Sequence, residues 1–210
     1  MRYLKEVCVG SYDEAVLAVE LGADRIELCA DLSVGGITPN RKEILGAVKL
    51  PVPINVIIRP RGGDFVYSNE EFEQMKENIR FCIKAGVNGV VLGILTIQNR
   101  IDLDRTRQLI ELTKPLPVTF HMAFDEVDDK FTAMDQLVEL GVSHILTKGG
   151  PNRAVDNLDT LENLVKYANK RIIVMPGGGV TKENAELVVE KTGAVELHGT
   201  KIVAKKIKRG

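Results

Sequence analysis

From Tyr3 to Gly199 the chain alternates short β-rich runs with helical patterns about eight times without a break, and this alternation constrains the fold more than any other feature. The runs are YLKEVCV, DRIELCA, PINVIIR, NGVVLG, PVTFH, HILTK, RIIVM and AVELHG. Several intervening segments open on a Ser, Asn, Asp or Thr cap and close on glycine. Strand followed by helix, repeated, requires parallel strands joined by helical crossovers. About eight such units in 210 residues predict an α/β fold of the TIM-like (β/α)8 barrel type, with residues 1–210 forming a single domain.

An open doubly wound sheet gives the same linear order, so the character of the strands has to separate the two. Strands buried between helices on both faces are almost wholly apolar. Here Val7 and Val9 alternate with Glu6 and Cys8, Ile26 and Leu28 with Glu27 and Cys29, and Ile54, Val56 and Ile58 with Asn55 and Arg59. Val118 and Phe120 alternate with Thr119 and His121, and Val195 and Leu197 with Glu196 and His198. One face is apolar and suits packing against helices. The other points into a barrel and carries Glu6, Glu27, Asn55, Arg59, Thr119, His121, Glu196 and His198. Buried carboxylates require partners, and the nearest charges are Arg59, Arg25 and the two imidazoles. Such a network either only fixes the barrel or serves chemistry.

Barrel sites are built at the C-terminal ends of the strands. Those ends supply Cys8, Cys29, Arg59 with Arg61 and Asp64, His121 with Asp125, Lys148, Gly177, Gly178, Gly179 and His198. Arg59 and Arg61 form a candidate fork for a carboxylate or phosphate, and Lys148 is a further cation for an anion. The glycines of MPGGGVTKEN after strand 7, with HGTK after strand 8, stand where phosphate-binding barrels hold their anion. His121 and Glu27 are candidate proton-transfer residues, with Asp125 expected to orient His121 across its loop. Cys8 and Cys29 lie at similar heights on neighbouring strands, flanked by His198. Two thiolates and an imidazole suit a soft ion such as Cu(I) or Zn(II), whereas two small residues filling a narrow interior would serve packing alone.

Composition narrows the partners. With a formal charge of -1, 5% aromatic residues and no Trp, the chain lacks both the basic excess and the stacking platforms of nucleic-acid binders. The N-terminus MRYLKEVCV does not resemble a signal peptide and no apolar stretch reaches membrane-span length, so a cytoplasmic location without membrane contact is expected. Three cysteines without a disulfide framework read as thiols. Cys82 falls on the apolar face of the helical pattern MKENIRFCIKAG, with Met75, Ile79 and Ile83, and belongs to the core.

At GADRIELC (22–29), GGITP (35–39), IRPRGGDFVYS (58–68), TFHMAFD (119–125), LTKGG (146–150) and MPGGGVT (175–181) the chain resembles the CutC copper-homeostasis family. The motifs occur in the family's order and span nearly the whole chain. The resemblance implies a TIM-like barrel, a cytosolic location, self-association into a homo-oligomer and a role in copper handling. It also places Cys8 and Cys29 where the family's proposed copper-binding cysteines lie. Met122 stands where the family motif has Arg, and Lys148 where LTSGG is usual, so a positive charge has moved from one loop to the next. A basic tail, KIVAKKIKRG, replaces the longer C-terminal segment of many members.

Two readings stand at this point. One is a CutC-like protein of copper homeostasis binding Cu(I) through the inner cysteines. The other is a barrel enzyme acting on a small anionic substrate, phosphorylated or carboxylated.

Overall fold

The computed structural model describes residues 2–203, so residues 204–210 of the basic tail lie outside the described residues. Eight strands run in chain order: β1 (Leu4–Val9), β2 (Arg25–Leu28), β3 (Ile54–Ile57), β4 (Gly89–Leu92), β5 (Val118–Phe120), β6 (His144–Thr147), β7 (Ile173–Pro176) and β8 (Glu196–Gly199). Between them lie α1 (Tyr12–Glu20), α2 (Arg41–Ala47), α3 (Asn69–Ala85), α4 (Leu103–Thr113), α5 (Lys130–Leu140), α6 (Leu158–Ala168) and α7 (Ala185–Thr192). All ladders are parallel, in the order β7-β6-β5-β4-β3-β2-β1-β8. The result is a nearly closed TIM-like barrel. No ladder joins β7 to β8 among the described residues. The two strands pack side by side, and the seam is tied above them by a single parallel bridge between Thr181 and Lys201.

Helix boundaries follow the capping residues. Ser11, Asn40, Asp102 and Asp129 each accept a hydrogen bond from a backbone N–H of the first turn of α1, α2, α4 and α5. Ser68 and Glu71 form a capping box at the start of α3. Gly86, Gly141 and Gly193 end α3, α5 and α7 in the left-handed region, which glycine enters without a Cβ penalty.

The alternation within strands separates two layers. Outward residues such as Val7, Ile26, Val56, Val90 and Phe120 join Met75, Ile79, Leu109, Leu137 and Leu164 of the helices in one buried core. Each such side chain contributes about 1.5–3 kcal/mol by leaving water. Inside the barrel, Cys29, Ile57 and Val91 form a separate small apolar cluster with Cys8 against it. Val195, expected on the apolar face of β8, is 60% exposed because the strand begins one residue later.

Register sets the polar layers. β1 meets β2 with Glu6 opposite Arg25 and Cys8 opposite Glu27, and it meets β8 with Glu6 opposite His198. At the barrel floor the Nε of Arg25 donates to Glu6 and its Nη2 to Glu196 at 2.5 Å, while Nε2 of His144 lies 3.4 Å from Glu196. Thus Arg25 is the principal counter-charge of the inner carboxylates, and Arg59 is not. His144, at the start of its strand, completes the floor.

Candidate functional site

The mouth of the barrel opens into a cavity of about 330 Å³. One wall comes from β1, β2 and β8, whose register converges Cys8, Glu27, Cys29 and His198. The sulfurs of Cys8 and Cys29 are 3.7 Å apart and form a thiol hydrogen bond, not a disulfide. With a carboxylate oxygen of Glu27, they make a group whose ligand atoms all lie within 4.8 Å of one another. His198 lies outside that group and forms a second one with Glu6 and Glu27. Its Nδ1 lies 3.0 Å from Glu6 and its Nε2 3.3 Å from Glu27, so both nitrogens already face carboxylates. Glu27, read from sequence as a proton-transfer residue, belongs to both groups.

The electrostatics of this wall follow from those contacts. The hydrogen bond from Cys29 holds the Cys8 thiol down to about 5 against the opposing effect of burial, helped by His198. The same bond, together with burial, pushes Cys29 well above the ordinary thiol range. Burial and then the charge of Cys8 push Glu27 well above the usual carboxylate range. Burial alone would depress His198, but Glu27, Cys8 and Glu6 outweigh it and raise it. Cys8 is therefore the more acidic of the two thiols, and the neighbouring His198 favours its ionised form. Cys82, on the buried face of α3, is pushed up to about 12 by burial.

The opposite wall is built from β3, β5 and two loops. Arg59, 5% exposed, follows β3; its Nη1 donates to the carbonyls of Val34 and Gly36 at 3.0 Å each, and its Nη2 to that of Gly63 at 2.8 Å. The guanidinium lies 4.9 Å from the Phe65 ring centre, and no carboxylate pairs with it among the described residues. His121 packs against the same ring at 4.9 Å. Its Nδ1 accepts from the Ala123 N–H at 3.1 Å, which places the proton of the neutral ring on Nε2. Burial, then the Arg59 charge, holds His121 down to about 3, so the ring is neutral. Its Nε2 is buried without a partner, whereas the buried Tyr67 hydroxyl lies against the Arg59 guanidinium.

Other residues expected at this site have different places. Arg61 does not form a fork with Arg59: its donors go to Glu71 at 2.7 Å, Asp64 at 3.0 Å and the carbonyls of Gly62, Asp64 and Val66, and neither Arg61 nor Asp64 lines the cavity. The parity that aims Arg59 inward ends with the strand. Asp125 turns away from His121 and accepts from Thr147 Oγ1 and from the Lys148 N–H at 2.9 Å, fastening β6 to the loop after β5. Gly178 and Gly179 line the cavity; Gly177 and Lys148 do not. A Cβ at Gly178 would come within 2.6 Å of Lys148 Cγ and 3.4 Å of Met122 Cε, so the two positions that depart from the family pattern are neighbours across one glycine.

The sequence reading missed Leu32, Val34 and Phe65, which form the apolar part of the lining. The signal was in the GGITP motif. Gly35 and Gly36 both have positive φ, and a Cβ on Gly36 would meet Cys29 Sγ at 3.2 Å, so the loop folds over the mouth only with glycine there.

Comparison with known proteins agrees with the motifs. The CutC family model matches residues 3–203. A copper homeostasis protein cutC homolog of Homo sapiens is 46% identical over 198 residues, covering 93% of this chain and 72% of its own. A CutC family protein of Enterococcus faecalis is 42% identical over 208 residues, covering 95% of this chain and 100% of its own. Among solved structures, a Streptococcus agalactiae CutC protein superposes with a TM-score of 0.92 at 39% identity, covering 96% of this chain and 100% of its own. An aldolase superposes with a TM-score of 0.70 at 14% identity over 94% of this chain and 89% of its own, which is a likeness of fold alone.

Proposed function

The chain belongs to the CutC family, and from that premise we propose that it serves copper homeostasis by holding Cu(I) as cargo on Cys8 and Cys29, with Glu27 beside them. The observation that carries this reading is the pair of sulfurs 3.7 Å apart at the base of an open cavity. At the roughly 2.3 Å usual for metal–thiolate bonds, one ion reaches both sulfurs without moving either strand. Soft thiolates favour Cu(I) over hard cations. Cys8 is the more readily ionised of the two, whereas burial and the bond to Cys8 hold the proton on Cys29 until the ion displaces it. His198, held toward its protonated form by Glu27, Cys8 and Glu6, stands beside the pair to offset its charge.

The test is competition with a Cu(I) chelator under reducing conditions. Cys8→Ser with Cys29→Ser should abolish tight binding, Cys82→Ser should leave it unchanged, and calorimetry in two buffers should show protons released as the thiols load. Wild-type affinity in the double variant would reject the site.

A second reading is supported by the other wall: an enzyme acting on a small anionic substrate. Arg59 is a buried cation without a carboxylate partner among the described residues, and leaving such a charge uncompensated is costly unless an anion comes to it.

A further inference from the structure

The two sulfurs at the mouth are placed for chemistry with each other as well as for a shared ion. Cys8 is partly exposed and lines the cavity, whereas Cys29 is only 1% exposed. The loop after β2 lies over Cys29, since a Cβ on Gly36 would meet its Sγ at 3.2 Å. A small reagent entering the cavity therefore meets Cys8 first. Cys29 stands behind it, its sulfur 3.7 Å away and joined to the first by a thiol hydrogen bond. A disulfide bond is about 2.05 Å long, so closure asks the two sulfurs to approach by about 1.7 Å. The β1–β2 ladder ends at Leu28, and Cys29 is tied to β1 by one further backbone bond, to the Val9 carbonyl at 2.9 Å. The approach thus falls at the end of a ladder and not in its middle. Cys82 belongs to the separate core beneath the helices and serves as an internal control.

We propose that Cys8 and Cys29 form a redox-active dithiol, a modification site at which a small hydroperoxide converts the pair reversibly into an intramolecular disulfide. With hydrogen peroxide, the Cys8 sulfur first takes one oxygen. The O–O bond breaks, an S–O bond forms, and the other oxygen leaves as water, leaving a sulfenic acid on Cys8. The Cys29 sulfur then attacks the Cys8 sulfur. The S–O bond breaks, the S–S bond forms, and a second water carries away the Cys29 proton. The two sulfurs together give up two electrons, and the peroxide receives them. A small thiol reverses the change by exchange. The disulfide itself does not depend on how copper is held. Its consequence for the cargo rests on the copper reading: a disulfide offers Cu(I) no thiolate, so oxidation empties the site.

Metal-free protein would be reduced, freed of the reductant and treated with hydrogen peroxide in small molar excess. The intact mass of the monomer should fall by two hydrogens, and alkylation in denaturant should then label Cys82 alone of the three cysteines. A proteolytic map should join the peptides of Cys8 and Cys29, and dithiothreitol should restore every thiol. Cys8 should be consumed at least about tenfold faster than Cys82 in the same sample. Cys29→Ser removes the resolving thiol, so Cys8 should instead be trapped by dimedone as its sulfenic acid. Folding of that variant would be checked by circular dichroism, and the wild-type map carries the test alone if it unfolds. Oxidation of Cys8 onward to sulfinic acid without a cross-link, a disulfide between two chains, or consumption of Cys82 as fast as Cys8 would overturn the proposal. Oxidised and reduced protein would then compete with a Cu(I) chelator in anaerobic, thiol-free buffer, where only the reduced form should bind tightly. A disulfide that leaves Cu(I) affinity unchanged would sink the copper reading and keep the dithiol. Tight Cu(I) binding by protein that forms no disulfide would do the reverse.

Discussion

The floor and the mouth of this barrel are made of the same kinds of residue and solve opposite problems. At the floor, Arg25 joins Glu6 and Glu196, His144 lies against Glu196, and Asn55 donates to Glu6 at 3.0 Å, while the Nδ1 of His144 is left without a partner. At the mouth, the Nε2 of His121 is buried without a partner, Arg59 meets backbone carbonyls and the Tyr67 hydroxyl but no carboxylate among the described residues, and two cysteines line an open cavity. Burying charged groups is tolerable when they are paired, so the ion pairs of the floor serve the fold, whereas the mouth keeps a buried cation without a carboxylate partner among the described residues. Glu6 belongs to both. It reaches Arg25 below and His198 above, coupling the lock to the site.

The comparison breaks most easily at the floor. Arg25→Met strands Glu6 and Glu196 and should cost about 3–5 kcal/mol in urea denaturation, the usual penalty for removing one partner of a buried ion pair. A loss under about 1 kcal/mol, the range of exposed pairs, would show that the floor network does not lock the barrel. Cys8→Ser at the mouth should leave the denaturation midpoint near wild type.

Acid is the next lever. Burial alone would raise the carboxyl of Glu6, but the His198 hydrogen bond and the charge of Arg25 outweigh it and hold the group at about 2. A depressed carboxylate stabilises the fold above its unfolded value near 4.5, and that stability disappears as pH falls toward 2. Glu6→Gln should therefore flatten the stability profile between about pH 4.5 and 2. An unchanged acid slope would separate Glu6 from the lock.

Smaller effects test the mouth. Arg59→Lys should cost about 1–2 kcal/mol, because it gives up carbonyl contacts at Val34, Gly36 and Gly63 but leaves no carboxylate stranded. A loss as large as that of Arg25→Met would make Arg59 a structural residue first. The smallest change is expected from Asp64→Asn on the exposed clamp around Arg61, below about 1 kcal/mol after solvent screening. It should not alter binding of any cavity ligand. A change in ligand affinity there would extend the site beyond the cavity lining.

Much of this was legible in the residues. The period-two pattern on β1, β2, β3, β5 and β8 gave the barrel, and it also gave the inward set, since Glu6, Glu27, Asn55, Arg59, Thr119, His121 and His198 are all buried. Arg61 and Asp125 were harder, because they lie in loops where alternation no longer dictates direction. Their partners, Glu71 and the Lys148 backbone, are chosen by how the loops close.

The sequence by itself determined which face of each strand is polar, where helices begin and end, and that the thiols sit at strand ends, because these depend on local periodicity and capping. Tertiary structure decided which polar groups are satisfied. Glu6 finds Arg25 at a separation of 19 residues and His198 at 192, through strand registers and a seam that no local pattern encodes. Pairing in space divides the charged interior into a locked floor and a receptive mouth. That division depends on distances of a few ångströms between groups far apart in the chain, because the cost of a buried charge is set by its nearest partner and not by its place in the sequence.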